Sequence, residues 1–176
     1  MEIIKGTAYK AEVGFIYDGD SFNLKLISPT GSESQGIICR SQWIDTPETQ
    51  KPGKSSIDPL VLKHWEWAEK AKFALMNLIQ NRALITIPYE QDMYKRWVCD
   101  IYLDSVLLAN NVQLKQIKSG LAVSQLPFNR HIYNVRETGL LRSIINAAAT
   151  ANRNKVGLWA EPHMILPYEF KKLSLS

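Results

Sequence analysis

With 176 residues, 45% of them hydrophobic and 22% charged, the chain has the make-up of a one-domain globular protein large enough to bury a core. Its longest apolar runs are a few residues, which excludes a membrane-spanning helix. A net charge of +4 and a pI near 9.0 suit a polyanionic partner, whose phosphates give up counterions to lysine and arginine, although solubility accounts for that charge equally well.

Residues 1–6 lack the apolar core and small-residue cleavage site of a secretory leader, which favours a cytoplasmic protein, or a secreted one if a leader has been removed. Residues 9–17 and 21–27 read as strands flanking an Asp18-Gly19-Asp20 turn. In the second strand Phe22, Leu24 and Leu26 alternate with Asn23 and Lys25, the pattern of a half-buried strand. Residues 28–35 are turn chemistry, and 36–44 form a third strand beyond which Pro47 stops regular pairing. Pro52, Gly53, Ser55, Ser56 and Pro59 predict an exposed loop over 50–59. Asp58 before Pro59 is a good N-cap for a helix over 59–81, whose Val61, Trp65, Ala68, Ala71, Leu75 and Leu78 share one face.

Strands follow at 84–89 and 97–103, separated by a turn at 92–96. Asn110 or Asn111 can cap a second helix ending at Gly120, and a third spans 135–152 with Leu141, Ile144, Ala148 and Ala151 on one face. Residues 162–176 are expected to be a surface tail, and no repeat or linker divides the chain, so 1–176 reads as a single domain. Five strands with a helix between the third and fourth predict an α+β fold, a five-stranded OB-type barrel with three packed helices. Cys39 and Cys99 lie in strands and form neither a disulfide framework nor a zinc pattern; two buried free thiols are expected, with a cross-strand disulfide left open.

The chemistry concentrates in Arg40-Ser41-Gln42-Trp43-Ile44-Asp45-Thr46-Pro47-Glu48. A guanidinium presents a planar fork to a phosphate, an aspartate offers hard oxygens to a divalent cation, and a nearby glutamate can take a proton from water. Arg40 sits in a strand whose neighbours Ile37, Ile38 and Trp43 look buried, and a buried arginine needs an anionic partner. Asp18-Gly19-Asp20 standing alone is ordinary turn chemistry. Tyr94-Lys95-Arg96 brings a second arginine in front of a strand, and Tyr89 and Trp97 could stack bases, with core packing at least as good a reading of Trp97. His64, His131 and His163 share no metal or acid–base spacing and read as structural or surface residues, and there is no Ser-His-Asp set or phosphate-cradling glycine loop.

Taken jointly, Asp18-Gly19-Asp20, Arg40 five residues before Asp45-Thr46-Pro47-Glu48, and Tyr94 one residue removed from Arg96 resemble the staphylococcal nuclease (thermonuclease) family. The likeness runs from about Val13 to Glu161 and ends in Gly157-Leu158-Trp159. The resemblance implies Ca²⁺ held by Asp20, Asp45 and the Thr46 carbonyl, with Asp18 near the metal without ligating it. It gives Glu48 the role of base or water-orienting group, Arg40 and Arg96 that of a phosphate clamp, and Tyr94 that of a hydrogen bond to phosphate. It further implies hydrolysis of DNA, RNA or both, single-stranded or unpaired, to 3′-phosphate and 5′-hydroxyl ends. A monomer with no membrane partner is expected. Lys95 stands where the family has a turn glycine and adds either a phosphate contact or a steric change, Trp97 replaces another glycine, and residues 123–130 lack the family's tyrosines. The competing reading is a non-catalytic nucleic-acid-binding module; retention of every acid and both arginines argues against it.

Overall fold

A computed structural model describes residues 1–126, 132 and 134–173. Five strands close into a barrel: β1 (Tyr9–Ile16), β2 (Ser21–Ile27), β3 (Ser34–Ser41), β5 (Leu84–Gln91) and β6 (Trp97–Leu103), hydrogen-bonded in the order β1-β2-β3-β6-β5 with β5 returning to β1. All neighbours are antiparallel except β3 and β6, which run parallel with Cys39 opposite Trp97 and Ser41 opposite Cys99. Two short strands, β4 (Ile44–Asp45) and β7 (Val123–Ser124), pair with each other. This is the predicted α+β barrel, with four α-helices among the described residues where three were expected.

Alternation places Phe22, Leu24 and Leu26 inside the barrel with Cys39, Cys99 and Ile101, where burial of each large apolar side chain contributes about 1.5–3 kcal/mol. Both cysteines are free and buried, and burial pushes the Cys99 thiol up, with Cys39 beside it. Helix α1 (Pro59–Ile79) lies across the barrel, and its Leu75 and Ile79 join that core. Asp58 accepts the Leu60 N–H at 2.8 Å, the predicted N-cap. The fully buried stripe of α1 is His64, Ala68, Ala71, Leu75 and Ile79, so His64, and not Trp65, takes the innermost position at its N-terminal end.

Asn111 caps α2 (Val112–Lys118) by accepting the Leu114 N–H, and Asn134 caps α3 (Val135–Arg153) by accepting the Glu137 N–H. Leu114 and Ile117 of α2 pack with Leu140, Ile144 and Ala148 of α3 against Trp43 and Ile44, forming a second core under the β4–β7 pair. Gly120, at φ +64°, lies against the 156–157 backbone, where a Cβ would come within 2.1 Å of the Val156 carbonyl oxygen. That contact fixes the Gly157-Leu158-Trp159 segment on the end of α2.

Two expectations change. Ile38 is 42% exposed, because it faces outward between the inward-facing Ile37 and Cys39. Within the expected surface tail, residues 167–173 form helix α4 (Pro167–Leu173), whose Phe170 ring stacks on His64 of α1 with centroids 3.8 Å apart and planes 6° from parallel.

Candidate active site

The Asp18-Gly19-Asp20 turn is built to aim one carboxylate. Asp18 Oδ1 accepts the N–H groups of Asp20 at 2.9 Å and Ser21 at 2.7 Å, which folds the turn onto itself. Gly19 is required by close approach: a Cβ there would stand 2.9 Å from Ala71 Cβ and from Thr46 Cγ2 and Oγ1. Its carbonyl accepts from Gln116 Nε2 of α2. The turn is thereby clamped between α1, α2 and the strand exit at Thr46.

Asp20, 4% exposed, is the centre of the network. Its Oδ1 pairs with Arg40 Nη1 and accepts the Ser21 hydroxyl at 3.0 Å, while Oδ2 accepts the Thr46 N–H at 2.8 Å and the Thr46 hydroxyl at 3.0 Å. Arg40 Nη2 donates to Asp45 Oδ1 at 2.8 Å and to Gln125 Oε1 at 3.1 Å. One guanidinium therefore ties together the two acids expected to hold a metal. Lys171 of α4 donates to the same Asp45 oxygen at 2.6 Å and stands 3.1 Å from Glu48 Oε1.

Glu48 is half-buried and held from behind. His64 Nε2 accepts the Glu48 N–H at 2.9 Å, which leaves the ring proton on Nδ1 to be donated to the Ile165 carbonyl at 3.0 Å. Burial lowers the His64 pKa, consistent with a neutral ring in this position. Burial also works to raise Asp20, but the Arg40 charge and the Thr46 N–H outweigh it and hold that carboxyl below its ordinary value. For Asp45 burial prevails over Arg40 and the pKa is raised. Asp18, pushed up by burial and by the charge of Asp20, reaches about 7. Arg40 stays charged: burial opposes its charge, and Asp20 and Asp45 more than restore it.

Arg96 approaches from the β5–β6 turn. Asp92, four residues earlier, accepts its Nε at 2.8 Å and pairs with its Nη2 at 2.7 Å, and Nη1 reaches the Ser21 hydroxyl at 3.4 Å. The second arginine thus stands one hydroxyl away from Asp20. Tyr94 is 70% exposed, with the Arg96 guanidinium carbon 5.3 Å from its ring centroid. Lys95 has φ +61°, the backbone conformation a glycine would adopt freely.

The structure therefore gathers Asp18, Asp20, Arg40, Asp45, Thr46 and Glu48, brings Arg96 to their edge, and leaves Tyr94 and Lys95 on an exposed turn. Tyr89 does not belong with them: it is fully buried, and its hydroxyl donates to Asp100 at 2.8 Å, so no base can reach it. Trp97 packs half-buried against the barrel core. His163 is exposed, and His131 lies outside the described residues, as do 127–130 of the segment lacking the family's tyrosines. Sequence reasoning missed Lys171, His64, Gln125 and Ser21. Asp92 was legible as an acid four residues before Arg96; no local signal marks Lys171.

No trio of His, Cys, Asp and Glu side chains among the described residues forms a ready metal cage. A hard cation needs less: two carboxylates and a backbone oxygen, with water completing the shell. Here four acids, Asp18, Asp20, Asp45 and Glu48, converge with Arg40 and Lys171, and an ammonium already sits between Asp45 and Glu48. The donor set fits a divalent cation at Asp20 and Asp45.

A family model described as "Staphylococcal nuclease homologue" matches residues 39–161, most of the chain. The chain belongs to the staphylococcal nuclease family. The match contains Arg40, Asp45, Thr46, Glu48 and Arg96 and begins after Asp20. Among curated relatives, "Probable endonuclease LCL3" of Phaeosphaeria nodorum is 32% identical over 120 residues, covering 63% of this chain and 38% of that protein. "Probable staphylococcal-like nuclease CAN1" of Oryza sativa subsp. japonica is 27% identical over 133 residues, 76% of this chain and 32% of its own length. "Protein ParB" of Escherichia coli is 20% identical over 165 residues, 94% of this chain and 80% of the relative. The chain thus spans 38% and 32% of the lengths of the first two relatives. No helix among the described residues is long and apolar enough to cross a membrane.

Proposed function

We propose that this chain is a Ca²⁺-dependent nuclease that hydrolyses phosphodiester bonds of DNA, RNA or both, leaving 3′-phosphate and 5′-hydroxyl ends. The observation that carries this reading is the convergence of Asp20 with Arg40, Asp45 and Glu48, drawn from two separate segments, with Arg96 of a third at the edge. Family membership and relatives named as nucleases support it.

A bound divalent cation would supply Lewis-acid polarisation of a phosphoryl oxygen and a water made more acidic. The chain's own residues do the rest. Asp20 and Asp45, with the Thr46 carbonyl, would hold the cation, and Arg40 keeps the two acids at a fixed spacing. Glu48, its backbone anchored by His64, takes the proton from the attacking water. Arg96, positioned by Asp92, meets the phosphate and offsets the charge that grows on its oxygens; Tyr94 and Lys95 on the same turn add contacts from the solvent side. None of these groups requires or forbids a 2′-hydroxyl. The exposed turn that carries Tyr94 suits an unpaired strand.

Cleavage of denatured DNA and of RNA, measured with Ca²⁺, with Mg²⁺ and with chelator, tests the reading. Ca²⁺-dependent cutting that collapses in Glu48→Gln and Arg96→Ala is expected. Salt-sensitive binding without cutting would favour a non-catalytic module.

A further inference from the structure

We propose that Lys171 is a resident cation of the carboxylate site, one that a divalent ion must displace, so that metal loading and undocking of α4 are a single equilibrium. The proposal rests on the metal-dependent reading above.

Three observations carry it. Lys171 Nζ lies 2.6 Å from Asp45 Oδ1 and 3.1 Å from Glu48 Oε1, bridging the acid expected to hold the metal and the acid expected to work on its water. Asp45 Oδ1 already receives Arg40, so a single oxygen carries two cationic partners. A divalent ion binds carboxylate oxygens at about 2.3–2.6 Å, and an ammonium at hydrogen-bond distance from the same carboxylate competes with it in both space and charge.

The second observation is how α4 is attached. The helix is seven residues long; its contacts include the Phe170–His64 ring stack and the Lys171 ion pairs, and the His64–Ile165 hydrogen bond holds the residues just before it. A helix of two turns opens locally at lower free energy than the barrel core, and the ring stack and ion pairs open with it.

The third is the position of His64. One face of its ring carries Phe170 while its Nε2 holds the Glu48 N–H. Undocking of α4 is therefore felt at Glu48 through one buried side chain. A groove of about 360 Å³ lined by Glu48, Trp65, Phe170 and Lys171 opens beside it. With Lys171 in place the four acids face two cations; replacement by a divalent ion brings one further positive charge to the cluster.

The test is calorimetric titration of Ca²⁺ into the full chain, wild type beside Lys171→Met, Phe170→Ala and the double variant Lys171→Met/Asp45→Asn. Hydrogen exchange of residues 167–173 is followed with and without Ca²⁺, and far-UV circular dichroism checks that each variant is folded. Lys171→Met is expected to bind Ca²⁺ at least tenfold more tightly than wild type. Phe170→Ala, which keeps the ammonium and removes its mooring, should move in the same direction by less. The double variant should bind none, and Ca²⁺ should speed exchange in 167–173 of the wild type. Equal or weaker binding by Lys171→Met, with binding still abolished in the double variant, overturns the proposal and leaves the metal reading intact. No binding by any chain overturns both.

Discussion

Arg40 and Arg96 lie at the same candidate site in opposite surroundings. Arg40 is 8% exposed and is gripped by Asp20, which reaches it from the β1–β2 turn, and by Asp45 beyond the end of its own strand. Arg96 is half-buried and gripped by Asp92 of its own hairpin, through contacts that require no other part of the fold. The first arginine cannot leave without taking the ion pair of buried Asp20 and leaving Asp45 to Lys171 alone. The second can be removed with little more than the loss of a local ion pair. One therefore reports on the folding of the site and the other on its chemistry.

Substituting Arg40 by Met should cost about 3–5 kcal/mol of unfolding free energy, the usual consequence of removing one partner from a buried charge network. Urea denaturation without divalent ions measures it; a loss below about 1 kcal/mol would erase the distinction between the two arginines. Arg96→Ala should change stability by no more than about 1 kcal/mol, because its partner is partly solvated. Its cleavage rate should nonetheless fall by roughly 10²–10³, the scale for losing one group that stabilises transition-state charge. Kinetics and denaturation on the same preparation would separate the two effects.

The acids offer a pH test. Folding raises Asp18 from 3.8 to about 7. The folded chain holds that proton more tightly than the unfolded one, so the contribution to stability is fully present below about pH 4 and is lost as pH rises through about 7. Asp18→Asn keeps an oxygen for the two turn N–H groups and removes the titration. Its stability relative to wild type should rise by about 1–2 kcal/mol between pH 4 and pH 8, a discounted figure because Asp18 is partly solvated. A difference that stays flat across this window would show that neither burial nor the Asp20 charge raises Asp18. The smallest effect belongs to the exposed turn: Lys95→Gly should stabilise by about 0.5–1 kcal/mol, since φ +61° is unfavourable for a side chain. If cleavage also drops, Lys95 contacts the substrate.

Much of this was legible locally. The alternation of Phe22, Leu24 and Leu26 fixed which face of β2 enters the barrel, and Asp58-Pro59 fixed where α1 begins. The expectation that a buried Arg40 needs an anion held as well, although the anions it meets are the neighbouring acids. Tyr89 escaped because a tyrosine at a strand end reads the same whether its hydroxyl meets water or a buried Asp100. His64 escaped because its spacing to other histidines carries no information about Glu48 and Ile165, which reach it from elsewhere in the chain.

The sequence by itself determined the barrel and the acid and arginine set, because both are written in short-range patterns: period-two alternation, a cap, and motifs a few residues long. Only the tertiary structure decided how those charges are balanced. Lys171 follows Asp45 by 126 positions in the chain and meets it at 2.6 Å, because Phe170 seats α4 on the one histidine of α1 that faces inward. Long-range electrostatic pairing of that kind depends on where helices pack, and no local pattern encodes it.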